Sequence, residues 1–136
     1  VFHMVAKAIH RFARISPFKV RPVIPLVKGA DVSRALNVLS LLPQKGAYLL
    51  RKVVASAAAN AKQKGHDVGQ LYISRILADQ GPVLKRFRAA SFGRGMSLLK
   101  RTSHILVELD SRQKLVPNVT IKAAKPKKDA KKAKVK

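Results

Sequence analysis

Between Gly81 and His104 the chain carries six cations, Lys85, Arg86, Arg88, Arg94, Lys100 and Arg101, and no acid. Ala89, Ala90, Ser91, Gly93 and Gly95 are interleaved with them, and Phe87 and Phe92 are the only aromatic residues of the stretch. Guanidinium groups pair with phosphate in a two-pronged geometry and stack on flat rings, whereas lysine acts as a point charge. The phenylalanines suit either stacking on unpaired bases or packing within the segment. Thr102, Ser103 and His104 close the stretch and place hydroxyls beside an imidazole. Neighbours on a strand point to opposite faces, so Ser103 and His104 do not converge, and no carboxylate is placed to orient the histidine. Catalysis is therefore not expected, and the three are read as partners for phosphate, ribose or backbone.

Other chemistries recede for similar reasons. The four histidines, His3, His10, His66 and His104, are scattered and there is no cysteine, so neither a metal site nor a disulfide framework is expected. Gly93-Arg94-Gly95 is too short for a phosphate-cradling loop. No cofactor is implied.

The rest of the chain must position this basic stretch. Its 136 residues carry 29 lysines and arginines against 6 acids, a formal net charge of +23. That length points to one domain, taken as residues 1–121, with a lysine- and alanine-rich tail over 122–136. With 47% apolar residues there is material for a core. Self-repulsion at this charge asks for a polyanionic partner, most often nucleic acid. The charge is uneven, because residues 105–121 are neutral while the 81–104 stretch and the tail are strongly cationic. The tail cannot bury a core, and is expected to be either solvated or held by an anionic partner. No apolar run approaches the ~20 residues of a membrane span. The N-terminal residues lack a signal peptide's apolar stretch but have some basic amphipathic character.

Residues Val5 to Ile15 read as a strand with mixed alternation. Ser16-Pro17 opens a helix carrying Val20, Val23, Ile24 and Val27, ended by Gly29, in which Pro22 and Pro25 require a kink or an irregular turn. Asp31 is the next cap, before an apolar stripe of Val32, Ala35, Leu36, Leu39 and Leu42. A third helix runs from about Lys45 to Lys64, with Leu50, Val53, Val54, Ala57 and Ala61 on one face and Gly65 at its end. Leu71 to Ala78 and Ser103 to Leu109 read as strands. The fold class is α+β, with three helices packed on a three-stranded antiparallel sheet. The acid-free stretch joins two strands and has no apolar face of its own. It is read as a long protruding β-hairpin arm at about 81–104. Legs of about 11 residues at about 3.3 Å per residue give an arm near ~35 Å.

Lys100-Arg101-Thr102-Ser103-His104-Ile105, preceded by Gly81-Pro82 and Lys85-Arg86, resembles the L-twenty-two family of large-ribosomal-subunit proteins in its bacterial form. Ser16-Pro17-Lys19-Val20-Arg21, Lys28-Gly29, Ala35-Leu36, Lys52-Val53 and Ala59-Asn60-Ala61 stand at that family's spacings, and the resemblance covers about residues 6–110. It implies a structural, non-enzymatic protein whose body sits near the tunnel exit and whose hairpin threads ribosomal RNA. It also implies a role in subunit assembly and a hairpin tip that lines the nascent-polypeptide exit tunnel. By position the tip is Phe87, Arg88, Ala89, Ala90, Ser91, Phe92, Gly93 and Arg94. The family's usual proline and arginine before the Gly-Arg pair are replaced here by Ala89 to Phe92, with Arg88 nearby.

The expected RNA contacts are Lys7, Arg11, Arg14, Lys19, Arg21, Lys28, Arg51 and Lys52 in the body and Lys85, Arg86, Arg88, Arg94, Lys100, Arg101, Thr102, Ser103 and His104 in the arm. The partners implied are large-subunit ribosomal RNA, neighbouring large-subunit proteins and the nascent polypeptide. No membrane span and no homo-oligomer are expected. The location implied is a cytoplasmic ribosome, with an organellar one open. The main rival is a DNA-bending architectural protein with basic β-arms, which would need an apolar wedge at the tip and a two-fold dimer. A membrane-active cationic protein would need aromatic anchors, and this chain has no tryptophan.

Overall fold

A computed structural model describes residues 4–111, and the N-terminal three residues and residues 112–136, the tail included, lie outside the described residues. Strand β1 spans Met4–Ala13. Helix α1 (Pro17–Val20), a 3-10 turn (Arg21–Val23) and helix α2 (Ile24–Val27) follow without a break. Helices α3 (Val32–Leu41) and α4 (Lys45–Gln63) complete the helical layer. Strands β2 (Leu71–Ala89) and β3 (Gly95–Ser111) are long and antiparallel. The sheet order is β1-β3-β2, with β3 central. This is the expected α+β architecture, with three helical segments on a three-stranded antiparallel sheet and a hairpin that continues beyond it.

The prolines explain the broken first helix. Pro17, Pro22 and Pro25 each stand in the first or second position of a short piece, where a missing N–H costs nothing. The chain thus turns three times while still burying Val20, Val23 and Val27. Ser16 and Asp31 occupy N-cap positions, but neither side chain makes the capping bond.

The mixed alternation of β1 also has a cause. Phe12 lies in the left-handed region at φ 56°, where the register to β3 shifts between His10 and Ala13. This bulge reverses the inward parity, so that Ala8 and Ala13 both face the helices. A second shift between Ile73 and Arg75 does the same for Ile73 and Ile76.

The core lies between the helices and one face of the sheet. Leu50, Val54, Ala57 and Ala61 of α4 are fully buried, as are Ile105, Val107 and Leu109 of β3. Alanines stand in both α4 and β1, where Ala6 and Ala8 are buried, so this helix and strand meet through small side chains. Gly46 allows α4 to begin against α1, since a Cβ there would stand 2.8 Å from the Lys19 carbonyl oxygen. No core residue falls between Asp79 and Arg101.

Candidate nucleic-acid interface

The arm is a direct extension of β2 and β3. Pairing runs from Val83 opposite Arg101 to Ala89 opposite Gly95. Seven residues per leg at ~3.3 Å each give about 23 Å of ribbon before the tip. That is shorter than the ~35 Å expected from an 81–104 arm, because the strand ends and the turn take up the remaining residues. Thr102 and Ser103 belong to the body sheet, and Ala90 to Arg94 form the turn.

Register places each paired cation of the ribbon opposite an apolar residue. Arg101 faces Val83, Lys100 faces Leu84, Lys85 faces Leu99, Arg86 faces Leu98 and Arg88 faces Met96. No two cations lie directly opposite, so the cross-strand repulsion that would splay the ribbon is avoided. Alternation puts Arg86, Arg88 and Lys100 on one face and Lys85 and Arg101 on the other. Both faces therefore present positive charge beside apolar surface. Phe87, Met96, Leu98 and Leu99 remain exposed, at 83%, 61%, 42% and 46%.

The tip is a single 3-10 turn, Ser91–Gly93, closed by the Ala90 N–H donating to the Arg94 carbonyl at 2.9 Å. Phe92 and Gly93 both have positive φ, 56° and 68°. Glycine takes this conformation freely, whereas for phenylalanine it costs about 1–3 kcal/mol. Phe92 is 97% exposed, so burial within the chain does not compensate that strain.

At the arm's root the chain is locked. The Thr102 hydroxyl donates to the Pro82 carbonyl at 2.6 Å, across the register shift between Gln80 and Val83. A Cβ on Gly81 would stand 2.5 Å from the Thr102 hydroxyl oxygen and 3.1 Å from His104 Nε2. Gly81→Ala is therefore expected to break the Thr102 bond and lower stability by about 1–3 kcal/mol, read as a lower urea midpoint with unchanged slope.

Thr102 and Ser103, read from the sequence as RNA contacts, lie inside the body. Both are buried, at 3% and 0% exposure, Ser103 on the core side of β3 with Ile105 and Val107, and Thr102 against Gly81 and Pro82. Thr102 serves the arm's root, and the Ser103 hydroxyl is buried without a hydrogen-bond partner among the described residues. His104 is half-exposed, and its Nδ1 accepts the Phe12 N–H at 3.1 Å, holding the β1 bulge.

The remaining expected cations fall into groups. Arg14, Lys19, Lys100 and Arg101 line one open cleft of about 690 Å³ between the start of α1 and the arm's root. Lys45 joins them at the start of α4. Sequence reasoning missed Lys45; its only signal was Gly46 beside it, which brings the start of α4 onto α1. Among the described residues no acid lines this cleft. Lys85, Arg86, Arg88 and Arg94 continue outward along the arm. Arg51 and Lys52 lie apart on the exposed face of α4 with Tyr48, the Lys52 ammonium standing 4.6 Å from its ring centre. That ammonium, and to a lesser degree Arg51, holds the Tyr48 phenol below its ordinary value. Arg21 is occupied by the Ala78 carbonyl at 3.3 Å and by the Phe18 ring. Lys7, Arg11 and Lys28 lie outside the cleft, at the face of the sheet that the helices leave open.

Among the described residues no cluster of three or more histidines or acids could hold a metal, and no helix is long and apolar enough to cross a membrane. The fold and charge together define a basic α+β protein with a cationic β-ribbon. Residues 8–110 match the family model for ribosomal protein L22p/L17e, and the chain belongs to that family. It is similar to the large ribosomal subunit protein uL22 of Desulfatibacillum aliphaticivorans, 53% identical over 79% of this chain and 99% of the relative. Against the large ribosomal subunit protein uL22 of Sulfurihydrogenibium sp. (strain YO3AOP1) it is 47% identical, over 79% of this chain and 93% of the relative. The chain is thus a structural protein of the large ribosomal subunit, in the cytoplasm, and not an enzyme. The DNA-bending alternative is set aside by this membership.

Proposed function

We propose that this chain binds large-subunit ribosomal RNA through its arm and root cleft, assists subunit assembly by fixing RNA segments relative to one another, and lines the nascent-polypeptide exit tunnel with its tip. One observation carries the reading. The ribbon has cations on both faces, each opposite an apolar residue, and no acid. A solvated hairpin gains nothing from charge on both sides, whereas a ribbon between two RNA walls neutralises phosphates on each.

The cleft's five cations suit the phosphates of a strand entering beside the arm, and Arg51 and Lys52 offer a second contact on α4. Arg11, Lys7 and Lys28 contribute only at the margins. The exposed Phe87 suits stacking on an unpaired base. Phe92, strained and 97% exposed among the described residues, suits the tunnel wall beside the growing polypeptide. The test is a photo-reactive residue in place of Phe92 in ribosomes stalled with a labelled nascent chain. Adducts to the nascent chain are expected; adducts to ribosomal RNA alone would contradict the tunnel-lining role.

A further inference from the structure

Among the described residues no helix packs on the sheet's second face. Alternation turns His104, Leu106 and Glu108 of β3 away from the core that holds Ile105, Val107 and Leu109. Cross-strand register arranges this face in three rows. Lys7, Glu108 and Arg75 form the first, Ile9, Leu106 and Leu77 the second, and Phe12, His104 and Asp79 the third. An apolar row is thus bordered on both sides by charge. Ile9 is 48% and Phe12 58% exposed, while Leu106 and Leu77 are half-buried. Shallow depressions of about 350 Å³ and about 400 Å³ lie on either side of the row.

This face differs in charge from the rest of the molecule. Of the five acids among the described residues, Asp79 and Glu108 lie on it and Asp110 lines the depression at its end, interleaved with the cations Lys7, Arg11, Lys28 and Arg75. The arm and the root cleft have none. Phosphates laid on this face would meet those carboxylates, whereas an apolar centre with a mixed-charge border is the composition of a protein–protein contact.

The edges of the sheet are partly occupied where they flank this face. Lys64 Nζ donates to the Val5 carbonyl at 2.8 Å and Asn60 Nδ2 to the Lys7 carbonyl at 3.1 Å, closing these positions on β1. Gly29 N–H donates to the Ile73 carbonyl at 2.9 Å and Ile73 N–H to the Ala30 carbonyl at 3.0 Å, closing this part of β2. At Val5, Lys7 and Ile73 these bonds compete with strand addition, which favours a partner seated on the face.

We propose that this open face is the docking surface for a neighbouring protein of the large subunit. The partner lays apolar side chains over Ile9, Leu106 and Leu77 and sets a cation beside Asp79. The inference rests on the reading that arm and cleft are the main hold on the RNA, with Lys7, Arg11 and Lys28 at the margins of this face.

The test places a benzophenone amino acid at position 9 or 77, and separately at position 86 in the arm, in chains assembled into large subunits. Positions 9 and 77 are expected to give adducts to one and the same ribosomal protein, resistant to ribonuclease, while position 86 gives RNA adducts. Adducts from 9 and 77 to RNA or to a second copy of this chain, or none at all, would overturn the docking face. Failure at position 86 alone counts against RNA binding by the arm, and positions 9 and 77 decide the face separately. As a second arm, Ile9→Asp is expected to weaken the neighbour's incorporation about tenfold, as loss of one interface anchor does. Its affinity for free ribosomal RNA should not change; an equal loss on RNA would overturn the proposal.

Discussion

Removing Lys85–Leu99 and closing the ribbon with an Asn-Gly turn leaves the body's cooperative melting nearly intact and abolishes stable incorporation into large subunits. The deleted residues are exposed throughout apart from Ala90, and the buried core has no member between Asp79 and Arg101. Leu84 and Lys100 are paired to each other, so the cut falls between matched ends, and Asn-Gly supplies the turn that two-residue hairpins need. The Thr102–Pro82 bond that locks the root is retained. The melting temperature is expected within a few degrees of the parent's, a shift of about 1 kcal/mol or less. Incorporation should nevertheless fail, because the shortened chain keeps the five cations of the cleft but loses Lys85, Arg86, Arg88 and Arg94. Calorimetry and sucrose-gradient sedimentation read the two results. Loss of cooperative melting would mean that the arm belongs to the core.

The second large effect is expected from the root cleft. Changing Arg14, Lys19, Lys45, Lys100 and Arg101 together to glutamine removes five cations from one concavity that contains no acid. None of these residues is in the buried core, so folding should survive. Each phosphate contact contributes about 0.7–0.9 to the slope of log affinity against log salt, so the slope should flatten by about four. At moderate salt this corresponds to a loss of two or more orders of magnitude in affinity for large-subunit RNA. Arg21→Gln serves as the control, since its guanidinium is already held by the Ala78 carbonyl and the Phe18 ring. An equal loss from Arg21→Gln would show that net charge, not the cleft, governs binding.

Much of this architecture was legible before the structure. The buried stripe of α4 is carried by Leu50, Val53, Val54, Ala57 and Ala61, as its helical period indicates. Ile105, Val107 and Leu109 face the core together, as strict alternation requires. What escaped was local geometry that composition does not encode. The bulge at Phe12 depends on an acceptor 92 positions away, His104 Nδ1, and no pattern within β1 reveals it. The block from Lys100 to His104 reads as one polar unit, yet Lys100 and Arg101 are exposed while Thr102 and Ser103 are buried. The boundary between arm and body falls inside that block, set by the close approach of Gly81 to Thr102. Lys45 was passed over because its partners in the cleft come from α1 and β3, far apart in sequence. The open sheet face was hidden for the same reason: Ile9, Leu106 and Leu77 become a row only through register.

The central claim is that charge placed on an arm and a cleft holds this chain to RNA. It is tested most directly by the affinity of the full chain for large-subunit ribosomal RNA between about 50 and 200 mM salt. Arm and cleft together predict a straight log–log line with a slope of about −5 or steeper. A flat line over that range would contradict it.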